Sequence, residues 1–199
     1  MSVPPRHWPK IENWSSISTT CDAKSCSPNN PTPDISPKLE QYFDVEVITQ
    51  NIDDLHERAG STHVTHLHGE LRKLRSSKNE TLTVPIEGWE QHYDDRCEDG
   101  SLLRPFVVFF GESVPMFDRA TQIASTADIF VIVGTSLAVY PAASLVRYIR
   151  PEIPVYLVDP NEPDTRGIRN PLETIRMRAA EGMPLLADKL IKKYGQKEN

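Results

Sequence analysis

The stretch DIFVIVG, residues 128–134, carries five apolar residues in a row between an aspartate and a glycine. A short apolar run that ends at a glycine is typical of a parallel strand buried on both faces. Similar strand patterns occur at 45–49, 64–67, 106–110 and 155–158. Helical patterns separate most of them, at 53–59, 116–127, 141–149 and 184–194. The alternation predicts an α/β fold with a mostly parallel sheet and helices on both of its faces.

Two segments depart from this alternation. Residues 1–40 contain seven Pro, seven Ser and no Gly, and they sustain no apolar period. We predict that they form an irregular Pro/Ser-rich segment, apart from a short helix near 37–43, and that the folded domain spans 41–199. Residues 72–104 are largely polar, carry turn signals and lack a clear period. This pattern predicts a small insertion outside the main sheet.

Charge and composition exclude several classes of partner. The formal net charge is -6 and no Lys/Arg-rich run occurs, so we expect neither nucleic acid nor a membrane surface as a direct partner. The apolar runs are too short to span a bilayer, and residues 1–10 lack the apolar core of a secretory signal. The three cysteines do not suffice for a disulfide framework, which favours an intracellular location, cytoplasmic or nuclear. Nothing in the sequence indicates an oligomeric state.

Polar and small residues follow the predicted strands. They are Gln50, Asn51 and Asp53, then His68 and Gly69, then Gly111 and Glu112, then Gly134, Thr135 and Ser136, and finally Asp159. The carboxyl ends of parallel strands meet at one edge of a sheet, and the ligands of open α/β folds bind there. We therefore expect the ligand site of this protein at that edge.

Each of these groups has a structural interpretation as well as a functional one. Residues 134–136 suit a cradle for an anion or a ribose, but they also suit an ordinary capped turn. Asn51 and Asp53 suit hydrogen bonds to a ribose or an amide, or else a helix cap. His68 has two further histidines nearby, yet no carboxylate or cysteine accompanies them in a recognised metal-binding pattern. A general base at the end of a strand is therefore the better functional interpretation of His68.

Several motifs, in order, resemble those of the sirtuin family. The run TQNIDDLHERAG at 49–60 is similar to the family's T-Q-N-x-D-x-L-H-x-x-A-G motif, and HLHG at 66–69 contains its H-G active-site motif. The run RPFVVFFGESVP at 104–115 resembles R-P-x-V-V-x-F-G-E-x-x-P, and GTSLAVYP at 134–141 resembles G-T-S-L-x-V-x-P. Order and spacing agree with the family across 28–190, which is far more specific than a lone glycine-rich loop.

The resemblance implies a Rossmann-like fold that uses NAD as a co-substrate and removes acetyl or longer acyl groups from lysines of proteins or peptides. It implies that the acyl oxygen attacks the nicotinamide ribose and that His68 is the general base on a ribose hydroxyl. The implied cofactor-binding residues are Gln50, Asn51, Asp53, Gly134, Thr135, Ser136, Asp159 and Ala179. The implied substrate-binding residues, in a cleft where the peptide pairs as an extra strand, are Val108, Phe110, Gly111 and Val114.

The sequence departs from the family in two places. Most sirtuins hold a structural zinc on two cysteine pairs after the H-G motif, whereas residues 70–104 contain Cys97 alone, as in a zinc-free branch, so no zinc is expected. The family's G-A-G-x-S-x-x-S-G-I-P-x-F-R loop, which cradles the pyrophosphate, has no counterpart because no glycine precedes Gly60. No apolar first strand is recognisable in residues 1–44, so we expect a sheet that is incomplete at its N-terminal end.

These departures leave three functional interpretations open. The first is an NAD-dependent protein deacylase, with its acyl-chain preference undecided. The second is a catalytically impaired or non-catalytic sirtuin remnant, or a truncated isoform, that lacks the pyrophosphate loop and binds partners. The third is a dinucleotide oxidoreductase, which ranks last because no G-x-G-x-x-G run follows a first strand.

Overall fold

The computed structural model of the chain describes residues 10–15, 36–86, 91–92, 94–134 and 142–195. For residues 10–15, 36 and 37 it describes the backbone, and for the others the side chains as well. No helix in these ranges is both long and apolar enough to cross a membrane.

Strands and helices alternate along much of the described chain. The strands are β1 (Lys10–Ser15), β2 (Asp44–Thr49), β3 (Val64–His66), β4 (Gly69–Ser76), β5 (Thr83–Pro85), β6 (Leu103–Val107), β7 (Ile129–Val133), β8 (Val155–Val158) and β9 (Leu172–Ile175). The helices are α1 (Ser36–Leu39), α2 (Leu55–Ala59), α3 (Phe117–Thr126) and α4 (Ala179–Tyr194), and a 3₁₀ helix covers Ala142–Arg147. They build a six-stranded sheet and a three-stranded sheet.

The six-stranded sheet is parallel throughout, with the strand order β3-β2-β1-β7-β8-β9. The chain fills one half outward from β1 to β3 and the other half outward from β7 to β9. The direction of winding therefore reverses between β1 and β7, which is the topological switch point of a doubly wound sheet. This arrangement confirms the predicted Rossmann-like α/β fold.

Strand β7 is buried on both faces, as its unbroken apolar sequence predicts. Phe130 and Ile132 pack in one core cluster with residues of α3 and the 3₁₀ helix. Val131 and Val133 pack in a second cluster with residues of α1 and α4. Because successive side chains of a strand point to opposite faces, one run of sequence supplies both clusters. Burying a side chain of this size stabilises the fold by about 1.5–3 kcal/mol.

Strand β1 is a correction to the sequence-based prediction. The prediction that residues 1–40 are irregular apart from a short helix does not hold for Lys10–Ser15, which pairs with both β2 and β7. The expected loss of the first strand is wrong for the same reason, since Ile11 lies opposite both Val45 and Ile129 in the parallel register. The sequence KIENWS has no strand period. Pairing on both edges therefore decides its conformation, which local propensity does not predict.

The segment 69–107 forms the three-stranded antiparallel sheet, in the order β5-β4-β6. The predicted insertion at 72–104 falls within it. The strand predicted at 106–110 is wrong in its bounds and its surroundings, because β6 ends at Val107 and pairs with β4 rather than in the main sheet. Phe109 is 56% exposed and Phe110 is fully exposed. Hydrophobicity along the sequence cannot distinguish such an exposed turn from a core strand.

Three further elements differ from the predictions. The helix predicted at 141–149 is a 3₁₀ helix over Ala142–Arg147, and residue 141 lies outside the described ranges. Helix α4 begins at Ala179 rather than at Pro184, which lies inside it. The start of the helix was predicted at Pro184 because a proline usually lies in the first turn. The turn before it is helical as well, and it packs closely on β8, since a Cβ at Gly182 would lie 2.6 Å from Val158 Cγ1. Strand β9 was not predicted, because its side chains are at most half-buried.

Candidate functional site

The predicted site residues follow the strands of the main sheet at their carboxyl ends. His68 follows β3, the segment 50–53 follows β2, Gly134 follows β7 and Asp159 follows β8. In the spatial order of the strands, the end of β1 lies between the first two groups and the last two. The residues that follow Ser15, and the predicted Thr135 and Ser136, lie outside the described ranges. The strand order thus brings distant parts of the sequence to one edge.

The loop between β2 and α2 is held by three consecutive backbone carbonyls. The carbonyl of Gln50 accepts a hydrogen bond from His68 Nδ1 at 3.1 Å, and that of Asn51 accepts one from His66 Nδ1 at 2.7 Å. The carbonyl of Ile52 accepts one from the amide of Leu71 at 2.8 Å. A loop with three consecutive carbonyls bonded to neighbouring segments keeps its side chains in fixed positions.

The contact with Gln50 fixes the tautomer of His68. A carbonyl oxygen only accepts hydrogen bonds, so Nδ1 of His68 carries the proton in the neutral ring. Nε2 then holds the free lone pair. The side chain is half-buried. His68 is therefore oriented as a base whose Nε2 can take up a proton.

The ring of His66 is more deeply buried than that of His68, and it contacts a carboxylate. Its side chain is only 4% exposed, and its Nε2 lies 2.8 Å from Glu57 Oε1. Burial lowers the pKa of His66, but the hydrogen bonds to Glu57 and to the Asn51 carbonyl outweigh it and raise the pKa above its ordinary value. Burial raises the pKa of Glu57, and the hydrogen bond from His66 outweighs it and lowers that pKa. The two groups form a hydrogen-bonded pair beside the loop, in which His66 is buried and Glu57 is partly exposed.

The side chains of the loop are engaged to different degrees. Asp53 Oδ1 accepts the amide of Leu55 at 3.2 Å, so this carboxylate serves the start of α2, as the helix-cap interpretation holds. The amide of Asn51 donates to Thr49 Oγ1 at 3.1 Å. Nε2 of Gln50 is buried and has no hydrogen-bond partner among the described residues. A buried donor without an acceptor is uncommon and marks a place where a bound group fits.

Gly69 allows β6 to approach β4 closely beside His68. Its φ is +84°, and a Cβ built there would lie only 1.9 Å from the carbonyl oxygen of Phe106. The amide of Val108 donates to the carbonyl of His68 at 2.9 Å directly beyond this contact. Only glycine combines this backbone angle with this close approach. The start of the segment 108–114 is therefore tied to His68.

Four predicted substrate residues lie on the segment that follows β6. Val108 is half-buried beside His68, Phe110 is fully exposed, and Gly111 adopts a φ of +88° in an open position. Val114 packs against the core cluster of α3, so its side chain is partly used by the fold. The segment carries an exposed aromatic side chain two residues after Val108, whose amide contacts His68.

An ion pair fixes this segment. Nη1 of Arg104 lies 2.6 Å from Glu112 Oε1, and Arg104 Nη2 also donates to the carbonyl of Val107 at 3.2 Å. Glu112 Oε2 accepts the amide of Phe109 at 3.0 Å. The hydrogen bond from Arg104, followed by that from Phe109, lowers the pKa of Glu112 to about 2. Glu112 is therefore charged at neutral pH and closes the turn 107–112.

The other end of the sheet edge carries the remaining predicted cofactor residues. Gly134 follows β7 with a φ of +58°, and its amide donates to the carbonyl of Val158 at 2.9 Å. Asp159 is buried at 6% exposure and its Oδ1 accepts the amide of Asn161 at 2.7 Å. Ala179 is half-buried at the first position of α4 and packs on the second core cluster. These residues line the edge on the far side of β1 from His68.

Sequence reasoning missed the residues that hold the site together. Glu57 and His66 orient the loop, and Arg104 with Glu112 closes the turn beside it. The spacing of His66 and His68 was the available signal, because side chains two apart share one face of a strand. In the described ranges no three His, Cys, Asp or Glu side chains lie close enough to hold a metal ion.

Comparison with known proteins identifies the family. Residues 5–141 match the Sir2 family. The chain belongs to the Sir2 family. The predicted resemblance to sirtuins is thereby confirmed, and the match includes β1 and the candidate-site segments up to residue 141, but neither Asp159 nor Ala179.

Two curated Sir2 relatives show the extent of the similarity. The NAD-dependent protein deacylase of Bacteroides thetaiotaomicron is 47% identical over 159 residues, which cover 77% of this chain and 68% of that protein. The NAD-dependent protein deacylase of Aggregatibacter actinomycetemcomitans is 51% identical over 124 residues, which cover 62% of this chain and 59% of that protein. The chain thus spans about two thirds of the length of these relatives.

Solved Sir2 structures have the same fold. A Sir2 homologue in complex with NAD is 36% identical, with a TM-score of 0.68 over 82% of this chain and 65% of that one. A Sir2 protein bound to an acetylated peptide is 30% identical, with a TM-score of 0.60 over 82% of this chain and 70% of that one.

Proposed function

We propose that this chain carries the catalytic edge of an NAD-dependent protein deacylase, which removes acyl groups from lysine side chains of proteins. Membership of the Sir2 family and relatives of that name support the proposal. The observation that carries it is the arrangement of Gln50 and His68. The Gln50 carbonyl sets the tautomer of His68 and leaves the lone pair on Nε2, while the Gln50 side chain keeps a buried donor that has no partner among the described residues.

The residues at this edge fit a bound dinucleotide. Leaving a buried N–H group such as Gln50 Nε2 without an acceptor is unfavourable by about 1–3 kcal/mol. An oxygen of the nicotinamide carboxamide or of its ribose satisfies this donor. Gly134 and Asp159, across β1, supply a close backbone approach and a buried carboxylate for the adenosine half. When bound, NAD supplies the glycosidic bond that breaks as the acyl oxygen of the lysine attacks the ribose carbon.

The contribution of the chain is positioning and proton transfer. His68 Nε2 accepts a proton from a ribose hydroxyl, and the carbonyl of Gln50 stabilises the imidazolium that results. The three bonded carbonyls of residues 50–52 hold the loop so that the base and the Gln50 amide keep their relative positions. A correctly placed general base accelerates a reaction by about 10²- to 10⁴-fold.

The acyl-lysine peptide binds along the turn that follows β6. This turn begins at Val108, which is tied to His68, and it carries the exposed Phe109 and Phe110. An extended peptide laid along it gains backbone hydrogen bonds and a contact with the aromatic rings, as in recognition by strand addition. The lysine side chain then reaches inward to the base.

The test is NAD-dependent release of nicotinamide from the purified 199-residue chain with an acetyl-lysine peptide. We expect His68→Ala to lower kcat by at least about 100-fold, because the base is lost. His63→Ala is the matched control, since this side chain is exposed. Equal activity of the His68→Ala and His63→Ala variants would contradict the proposal.

A second candidate is a Sir2 chain that binds acyl-lysine peptides with little or no turnover of NAD. Dinucleotides bind at the switch point of such a sheet, and β1 ends there. Residues 16–35, which follow β1, contain no glycine that would let a backbone loop approach a phosphate, and this favours the second candidate. Peptide binding without nicotinamide release would support this second candidate over the first.

A further inference from the structure

The end of β3 presents two histidines to the same loop, and they differ in what surrounds their rings. Within the part of the chain that the structure describes, His68 contacts one acceptor, the carbonyl of Gln50. His66 has two, the carbonyl of Asn51 at Nδ1 and the carboxylate of Glu57 at Nε2. A neutral imidazole carries only one N–H, so it suits the surroundings of His68. In the surroundings of His66, a neutral ring would direct one lone pair at an oxygen.

The charges around His66 favour its protonated form. Glu57 of α2 contacts the ring, and Glu70 of β4 adds a second negative charge nearby. His56, the other titratable group of α2 in this region, acts on Glu57. From α3, Arg119 reaches the neighbouring Thr65, with its Nε 3.4 Å from Thr65 Oγ1. Two acidic neighbours and two accepting contacts therefore outweigh the burial of the ring.

We propose that His66 is a positioning residue: as an imidazolium anchored by Glu57, it fixes the Asn51 carbonyl and thereby holds the loop 50–53 in its cofactor-binding conformation. The inference rests on the proposed function for its effect on NAD. Neither residue is specified by the sirtuin motifs that the sequence matches. The pair connects α2 with β3 and the loop. A shift of α2 would therefore also move the loop residues beside His68.

Deprotonation of His66 breaks one of its two contacts. The ring then donates either to Asn51 or to Glu57, and the other oxygen faces a lone pair. The loop loses one of its three carbonyl contacts, while the contact of His68 with Gln50 remains. The expected result is weaker NAD binding at alkaline pH, with a rise in KM for NAD and a smaller change in kcat.

Variants at position 66 separate titration from hydrogen bonding. His66→Asn keeps a donor near the place of Nδ1 but does not titrate, so its affinity for NAD stays independent of pH. His66→Leu removes the donor at every pH, and we expect it to raise KM for NAD by about tenfold, since hydrogen bonds to charged groups are the stronger ones. The controls are His63→Asn and His63→Leu, because His63 is exposed on the same part of the chain.

Two measurements test the inference without catalysis. Nitrogen NMR of the imidazole rings should find that His66 keeps both nitrogens protonated to a higher pH in the folded chain than in the urea-unfolded chain. Amide exchange of Leu71, which donates to Ile52 of the loop, should be about tenfold faster in His66→Leu than in His63→Leu. Loss of the second proton of His66 at the same pH in the folded and the unfolded chain, or equal exchange in the two variants, would overturn the inference.

The same experiments distinguish failure of the inference from failure of the proposed function. If the wild-type chain releases no nicotinamide, the proposed function fails, and the NMR and exchange results still decide whether His66 holds the loop. If nicotinamide is released but KM for NAD has the same pH dependence in wild type and His66→Asn, the proposed function stands and the positioning role of His66 is overturned.

Discussion

At the scale of single residues, contacts with the backbone define the site more than charge does. The carbonyl of Gln50 assigns the proton on His68, and the carbonyl of Asn51 helps to keep His66 charged. Gly69 removes the side chain that would separate β6 from β4. Each of these effects depends on one atom, so a single substitution can test each of them.

We predict that Gly69→Ala destabilises the protein severely. A Cβ there meets the carbonyl oxygen of Phe106 at 1.9 Å and the φ is +84°, so strain and overlap add. The expected loss in the free energy of unfolding is about 3 kcal/mol or more. Gly100→Ala is the matched control, because its φ is +75° but nothing lies within 4 Å of the new Cβ. Its loss should be only about 1–2 kcal/mol in urea denaturation. Equal losses in the two variants would rule out the close contact.

The pair of His66 and Glu57 predicts a pH dependence of stability. The pKa of His66 is raised above 6.5, so its contribution is complete below that pH and is lost as pH rises through the raised value. The pKa of Glu57 is lowered below 4.5, so its contribution is present above that pH and is lost as pH falls through the lowered value. The pair therefore stabilises most fully between pH 4.5 and pH 6.5 and declines on the alkaline side.

Urea denaturation at several pH values measures this decline. We expect the free energy of unfolding to fall by about 1 kcal/mol more in wild type than in His66→Asn on the alkaline side, a small figure because Glu57 is 41% exposed and partly screened. Parallel pH profiles for the two proteins would show that His66 does not gain a proton on folding.

At the scale of elements, charged contacts hold the turn 107–112, along which we propose that the peptide binds. Arg104 approaches Glu112 from β6, and Arg75 approaches it from β4 at 3.6 Å. The pKa of Glu112 is about 2, lowered first by the hydrogen bond from Arg104, so the turn keeps its ion pair until pH falls to near that value. The exposed aromatic residues 109 and 110 lie between these anchors.

We predict that Glu112→Gln weakens peptide binding. Loss of the ion pair frees the turn, so KM for the acyl-lysine peptide should rise by about tenfold while KM for NAD changes little. Glu80→Gln is the control, because Glu80 is an exposed carboxylate 3.6 Å from the same Arg75. An equal effect of the two variants in steady-state kinetics would show that the turn does not depend on Glu112.

The elements also show which features could be predicted from sequence. Strands β2, β7 and β8 were predicted because their apolar runs are buried on both faces or nearly so. Strand β1 was not, because its pairing with two distant strands leaves no local period. His68 and the loop 50–53 were found because strand ends meet at one edge. The partnership of His66 with Glu57 depends on how α2 packs beside β3, and no spacing encodes that.

At the scale of the whole molecule, the strand order explains why the site lies where it does. The parallel sheet brings the ends of β2 and β3 to one side of β1 and the ends of β7 and β8 to the other. We propose that a dinucleotide laid across this edge meets Gln50 and His68 with one half and Gly134 and Asp159 with the other. The central claim is therefore that this edge is an NAD site.

Calorimetric titration of NAD into the 199-residue chain, with Gln50→Leu as the comparison, tests that claim most directly. We predict saturable binding of one NAD per chain, weakened by at least about tenfold in Gln50→Leu because the buried donor is lost. His63→Leu should bind as wild type does. Absence of binding to the folded wild-type chain, or equal affinity of wild type and Gln50→Leu, would contradict the assignment of the site.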